Sequence, residues 1–383
     1  MKKFLRVLSY IAAAAAASAL TFAVMARQNP ETKLTQLENL ISEKFIAGSD
    51  RTKMEDAAAD AMVESLGDRW SYYIPASEYA AHMEQMNNSY VGIGVTIVME
   101  DGGMRIQAVT PGGSAEEAGL RVQDLITRVD GVDIAGKTAA ETRTLVRGTA
   151  GTTVEITVER EGENLTFPVE RRQVDTPVAT GTLLENHIGL VTIENFDSRC
   201  HDETKAAVDT LLEQGAQALI FDVRNNPGGY ASELVKVLDM LLPEGEVFRT
   251  VDYAGKEKAD YSDAACLDLP MAVLVNGDSY SAAEFFAAAL QEYEKAEVFG
   301  NKTVGKGYFQ NTFVLSDGSA VGLSVGKYFT PQGRNLAGVG VTPDREIPVD
   351  DETAAAAIYY GTLEPENDPQ IQAAAEYLTE KLK

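Results

Sequence analysis

Histidine and cysteine are scarce: the 383 residues hold three histidines and two cysteines. His82, His187 and His201 are scattered and give, with Cys200 and Cys266, no zinc-ligand spacing, so no metal is expected. No histidine stands in a nucleophile-and-base context, which leaves a Ser-His-Asp triad with weak support. The two cysteines either pair outside the cytoplasm or stay as free buried thiols. Basic charge is short as well: 33 Lys and Arg stand against 58 Asp and Glu, a net charge of -25 spread along the chain. Phosphate binding needs a basic face, so nucleic acid is excluded as a partner. There is no internal repeat and no low-complexity segment beyond the alanines at 12–17. What remains is an ordinary folded composition, 45% hydrophobic and 24% charged, long enough for two or three domains.

The first 30 residues stand apart. Lys2, Lys3 and Arg6 precede an apolar run of 19 residues from Leu8 to Ala26, followed by polar Arg27 to Pro30. Basic residues ahead of such a run mark an export segment with its amino terminus inside. The length falls between a long signal-peptide core and a short membrane span. The segment is read either as a retained membrane anchor or as a signal peptide cleaved after Val24-Met25-Ala26. Both readings place the body outside the cytoplasm, secreted or periplasmic if the segment is cleaved.

Four regions follow. Residues 31–88 show helical spacing at Leu34, Leu37, Leu40, Ile41 and Phe45. Residues 89–172 turn to short strands, Gly92–Val98 and Met104–Val109 among them, with a helix over Ala139–Val146. Residues 173–350 alternate strands (Ile188–Ile193, Ala218–Val223, Met271–Val275) with helices (Glu203–Gln214, Ala231–Leu242, Ala282–Tyr293). That alternation predicts a layered α/β domain. Residues 351–383 close with a helix from Pro369 to Leu382.

Three segments of the α/β region carry chemistry. In Ser279-Tyr280-Ser281-Ala282-Ala283-Glu284, Ser281 and Glu284 have the spacing of a helix capping box. A serine where a sheet strand turns into a helix also gains from the helix dipole and free amides, and the Ala282 N–H points where an oxyanion forms. The local sequence fits both roles. Gly305-Lys306-Gly307 reads as a turn, or as a lysine whose pKa is lowered enough to act as a base. Gly300 to Lys306 matches most of a phosphate-binding loop, but Gly307 follows the lysine where Ser or Thr must hold magnesium, and a strand follows where a helix is required. That reading is rejected, and no cofactor is expected. Arg224-Asn225-Asn226-Pro227-Gly228-Gly229 is an αβ connection, or a turn exposing a glycine amide at a strand's carboxyl end.

Together these segments resemble the C-terminal processing (tail-specific) proteases, a family of Ser–Lys peptidases. The resemblance implies that Ser281 is the nucleophile and that Lys306, 25 positions later, is its base. It further implies that Gln310 orients the lysine and that Gly228 and Ala282 supply the oxyanion amides. Tyr90-Val91-Gly92-Ile93-Gly94-Val95 resembles the carboxylate-binding loop of the family's PDZ domain, which makes Gly92, Ile93, Gly94 and Val95 the expected peptide-binding residues. Pro111–Leu120 and Asp124-Leu125-Ile126 match later PDZ segments, and Tyr328–Arg334 and Gly340–Asp344 resemble the closing part of the protease core. Ala283 replaces the third serine of the nucleophile string, and Gln123 stands where a glycine commonly precedes the aspartate. The implied architecture is a layered α/β core of crotonase-like type with an inserted small PDZ β-sandwich and an N-terminal helical segment.

The implied activity is that of an exported serine endopeptidase gripping the free C-terminus of protein or peptide substrates; the oligomeric state stays open, with a homodimer through the N-terminal helices as one option. The rival from another class is a noncatalytic PDZ scaffold on an inactive protease fold. A trypsin-like protease with a PDZ domain would need His and Asp ahead of a serine loop, an order the sequence does not show.

Overall fold

The computed structural model describes residues 32–383 apart from 350, 351, 360 and 362. Residues 1–30, read above as a signal or anchor, therefore lie outside the described residues. The chain divides into two compact units that meet between Tyr73 and Ile74.

Among its described residues the first unit carries two helices, α1 (Lys33–Lys44) and α2 (Arg51–Glu64). Each starts at a side chain that takes an orphan amide: the Thr32 hydroxyl accepts from Thr35 N–H, and Asp50 from Lys53 N–H. No residue of either helix is buried, and Leu34, Leu37 and Leu40 are exposed.

The second unit opens with α3 (Ala76–Met86) and then builds a small β domain. A short strand β1 (Ser89–Gly92) is followed by β2 (Val95–Glu100), β3 (Gly103–Val109), helix α4 (Ser114–Ala118), β4 (Leu125–Val129) and β5 (Val132–Asp133). Helix α5 (Ala139–Val146), β6 (Thr153–Arg160), β7 (Glu163–Glu170) and β8 (Arg172–Asp175) complete it. The expected single strand Gly92–Val98 is in fact two. Gly94 takes a φ of +76°, which breaks the extended backbone, so β1 pairs with β8 while β2 joins the order β2-β3-β4-β6-β7. β2 is the edge of that sheet. The domain has its own core, with Ile106, Ile126, Val129, Val154, Ile156 and Val158 fully buried.

The α/β core follows with β9 (Ala179–Leu183), β10 (Ile188–Ile193), α6 (Cys200–Glu213), β11 (Ala218–Asp222) and α7 (Ala231–Leu241). Next come β12 (Gly245–Asp252), β13 (Glu257–Ser262), β14 (Met271–Val275), α8 (Ala282–Glu292), β15 (Ala296–Gly300), β16 (Tyr308–Val314), β17 (Ala320–Phe329) and β18 (Arg345–Glu346). Helices α9 (Glu352–Tyr359) and α10 (Pro369–Lys381) end the chain. The main sheet runs β9-β10-β11-β14-β15-β18, parallel except for β9. Its central strands β11 and β14 are buried along their whole length and show the two-residue period in their packing. Leu219, Phe221, Val273 and Val275 face α6, α7 and α8, while Ala218, Ile220, Ala272 and Leu274 face Ile371, Ala374 and Leu378 of α10. Helix α8 is buried from Ala282 to Leu290 and is apolar there at every position but Glu284. An antiparallel layer in the order β16-β17-β12-β13 packs beside it, with Phe248 and Tyr328 edge-on to Phe285.

Both cysteines are free thiols, and burial pushes the Cys200 thiol up to about 12. Among the described residues no helix is long and apolar enough to cross a membrane.

Candidate active site

Three loops leave the carboxyl ends of the neighbouring parallel strands β11, β14 and β15, the rim where open α/β sheets bind ligands. They contain the Asn-Pro-Gly-Gly turn, the Ser281 string and the Lys306 loop respectively.

Asparagines and Ser279 lock the first two loops together. Asn276 Oδ1 accepts from Asn225 N–H (2.9 Å), and Asn276 Nδ2 donates to Asn225 Oδ1 (2.7 Å). Ser279, fully buried, donates to the Val223 carbonyl at 2.7 Å. Asn226, also fully buried, donates to the Ile193 carbonyl (2.7 Å), and its own carbonyl accepts from Tyr280 N–H (3.1 Å). The turn is thereby pressed against the Ser281 string. A Cβ on Gly228 would sit 2.7 Å from Ser281 Cβ and 2.8 Å from Ala282 N, so only glycine fits there. Of the two expected oxyanion amides, Ala282 N–H heads α8, where a first-turn amide has no helical partner. Gly228 N–H instead donates to Asn226 Oδ1 at 2.8 Å. It serves an oxyanion only by sharing or releasing that bond.

Ser281 holds φ 59° and ψ −124°, a strained region for a residue with a side chain. Its neighbours enforce this conformation. The Ser281 carbonyl accepts from Glu284 and Phe285 N–H at 2.9 and 3.1 Å, and Ser281 N–H donates to Glu284 Oε2 at 2.9 Å. Ser281 itself is buried.

Glu284 is the residue whose role the sequence reading missed. It is fully buried, and each carboxylate oxygen takes two donors. Oε2 accepts from Ser281 N–H and from Lys306 N–H at 2.8 Å; Oε1 accepts from Gly305 N–H at 2.7 Å and the Thr303 hydroxyl at 2.5 Å. One oxygen shared by Ser281 and Lys306 puts their backbone nitrogens within about 6 Å of each other. Capping-box spacing was the only sequence signal, and it explains the bond to Ser281 but not the three to Thr303, Gly305 and Lys306.

The Gly305-Lys306-Gly307 loop packs against residues 335–340. A Cβ on Gly307 would meet Ala337 N at 2.4 Å, and Asn335 Nδ2 holds the Gly307 and Tyr328 carbonyls at 2.8 and 2.7 Å. Lys306 Nζ stands 5.7 Å from the centre of the Tyr280 ring. Burial and then Asp278 push the Tyr280 phenol above its usual pKa. Gln310 lies on β16, its amide nitrogen donating to Ser324 Oγ at 3.0 Å and to the Tyr308 carbonyl at 3.3 Å. The segment expected to resemble a phosphate loop is followed by strand β16.

The expected peptide loop lies away from this rim, in the β domain. Gly92, Ile93, Gly94 and Val95 line a groove of about 360 Å³ between the edge strand β2 and helix α5. Ala115 N–H (3.0 Å) and the Ser114 hydroxyl (3.2 Å) hold the Ile93 carbonyl.

Comparison with known proteins agrees with this layout. Residues 187–347 match the Peptidase family S41 model, and residues 91–170 the PDZ domain model. A Staphylococcus haemolyticus protein named as a CtpA-like serine protease is 33% identical over 300 residues, 77% of this chain and 60% of that protein. A Staphylococcus aureus protein of the same description is 31% identical over 83% of this chain and 65% of its own length. The chain thus spans about 60–65% of the length of these relatives. Among solved structures, a Bacteroides fragilis protein described as an S41 protease superposes with a TM-score of 0.53 at 18% identity, covering 92% of this chain and 98% of that one. Its likeness is one of fold. The family match falls on the part of the chain that carries Ser281 and Lys306 and the PDZ match on the domain with the groove: the chain is similar to peptidase family S41 over residues 187–347 and to PDZ domains over residues 91–170.

Proposed function

We propose that this chain is a serine endopeptidase that cleaves proteins through Ser281 and Lys306 and takes hold of their C-terminal tails in the PDZ groove. The observation that carries the reading is the buried Glu284 carboxylate, which ties the backbone of Ser281 and the backbone of Lys306 to one oxygen at 2.9 and 2.8 Å. A strained serine at a helix start and a lysine one hydrogen-bonded step away are the parts such an enzyme needs.

In this mechanism Lys306, with its amine uncharged, accepts the Ser281 hydroxyl proton as Oγ attacks the scissile carbonyl. The tetrahedral oxyanion takes the Ala282 N–H, joined by Gly228 N–H once Asn226 yields it; each such donor is worth about 3–4 kcal/mol of barrier. The lysine returns its proton to the leaving amine, and water releases the acyl group. Gln310 is assigned to orienting Lys306 from β16. The tail adds to the edge of β2 with its carboxylate at Gly92–Val95.

In the same reading residues 1–30 export the chain and either anchor it in the cell membrane or are removed. The exposed apolar face of Leu34, Leu37 and Leu40 pairs two copies, a state that sedimentation equilibrium reports directly.

The test uses one protein substrate with a free or an amidated C-terminus. Wild-type chain is expected to cleave the free form faster, and Ser281→Ala and Lys306→Ala chains to cleave neither. Cleavage at the wild-type rate by Lys306→Ala would refute the base assignment, and equal rates on both forms would remove the groove from the mechanism. Tail binding with no Ser281-dependent cleavage would make the chain a scaffold.

A further inference from the structure

The PDZ groove carries charge as well as apolar surface. Its floor holds Met104 and Ile126, but Arg143 and Arg147 of the α5 region stand on its rim. The Arg147 guanidinium lies 5.2 Å from the centre of the Tyr90 ring, which sets the carboxyl end of α5 beside β1. Arg143 sits one turn earlier, about 6 Å back along the helix. Among the described residues neither arginine has a carboxylate within ion-pair distance, a state that Arg69, Arg121 and Arg128 share elsewhere, but only Arg143 and Arg147 line this groove. Burial raises the Tyr90 phenol pKa while Arg147 and Arg143 pull it down, so both guanidinium charges reach this end of the groove.

An extended peptide advances about 3.4 Å per residue and turns alternate side chains to the same face. With the terminal carboxylate at Gly92–Val95, the last side chain enters the apolar floor beside Val146. The side chain two positions upstream shares its face and lies about 7 Å further on, past the Arg143 backbone, which stands about 4.5 Å before Val146, and within reach of the long Arg143 side chain. A planar guanidinium with no carboxylate of its own matches a carboxylate there in two-pronged geometry.

Resting on the tail-binding reading above, we infer that Arg143 makes the groove select tails whose third residue from the end is Asp or Glu and whose last residue is apolar. The substrate class is thereby narrowed to proteins with an acidic penultimate-but-one residue.

The experiment measures binding of fluorescein-labelled peptides ending Glu-Ala-Val, Gln-Ala-Val or Lys-Ala-Val, each with a free or amidated terminus, to the full chain carrying Ser281→Ala so that none is cut. The Glu peptide is expected to bind about fivefold tighter than the Gln peptide, the scale of one partly exposed charge pair. That preference should vanish on adding Arg143→Gln and reverse towards the Lys peptide on adding Arg143→Glu, a reversal that a merely structural role for Arg143 would not produce. Amidation should weaken every peptide. Equal binding of Glu and Gln peptides, with amidation still harmful, overturns the Arg143 assignment and leaves tail capture standing. No effect of amidation, or no binding at all, overturns tail capture and the assignment with it.

Discussion

A carboxylate shut away from water must find donors, and Glu284 finds four in two loops that meet nowhere else in sequence. Its bonds reach Thr303, Gly305 and Lys306, 19 to 22 residues away, so no local pattern could announce them. Ser281 and Lys306 were legible because each sits in a distinctive short string; Glu284 was read as a cap because that half of its work is local. Asn226 was hidden for the same reason, since its partners Ile193 and Tyr280 come from strand β10 and from the Ser281 string. Glu284→Gln tests this account. The amide replaces an acceptor oxygen by a donor and sets it against N–H or O–H groups. Unfolding should become easier by about 2–4 kcal/mol, seen as a lower urea midpoint. Cleavage measured where both proteins are folded should fall by more than tenfold, because the two reacting segments lose their common tether. An unchanged midpoint and rate would show that the tether is dispensable.

At the scale of elements, the parallel strands of the core were readable because they are short, apolar and β-branched, and the helices between them because their apolar spacing is strong. The strand pair β12–β13 was not anticipated. A register shift between Glu246 and Phe248 breaks the alternation that marks a strand, leaving Val247 and Phe248 buried side by side. The division of Gly92–Val98 into β1 and β2 was missed because apolar content says nothing of the positive φ at Gly94. The turn after β11 gives the sharpest prediction at this scale. Gly228 has φ +91°, and an added Cβ would press on Ser281 Cβ and Ala282 N. Gly228→Ala should therefore cost about 1–3 kcal/mol of stability and at least tenfold in kcat, since it moves Ser281, the proposed nucleophile, and its neighbouring amide together. Circular dichroism melts and steady-state rates check both halves. A folded variant with full kcat would show that the turn has room the structure does not give it.

On the scale of the second unit, two separate cores are joined by a polar stem. Asn88 of β1's lead-in donates to Asn195 Oδ1 at 2.6 Å, and Arg199 donates to the Thr176 carbonyl at 2.9 Å. Between those anchors Phe196 N–H bonds the Gly228 carbonyl at 2.8 Å, and Tyr230 N–H bonds the Phe196 carbonyl at 2.7 Å. The PDZ stem and the turn beside Ser281 therefore share one segment, consistent with tail capture and cleavage as two parts of a single reaction.

The claim on which this rests is that Ser281 becomes covalently acylated with Lys306 as its base. Acid quench of wild-type chain mixed with a tail-bearing peptide, followed by proteolysis and mass spectrometry, reads this directly. The account predicts a transient adduct on the fragment containing Ser281, with the mass of the substrate's amino-terminal portion, absent from Ser281→Ala and Lys306→Ala chains. An adduct on another residue, or continued cleavage by the Ser281→Ala chain, would contradict it.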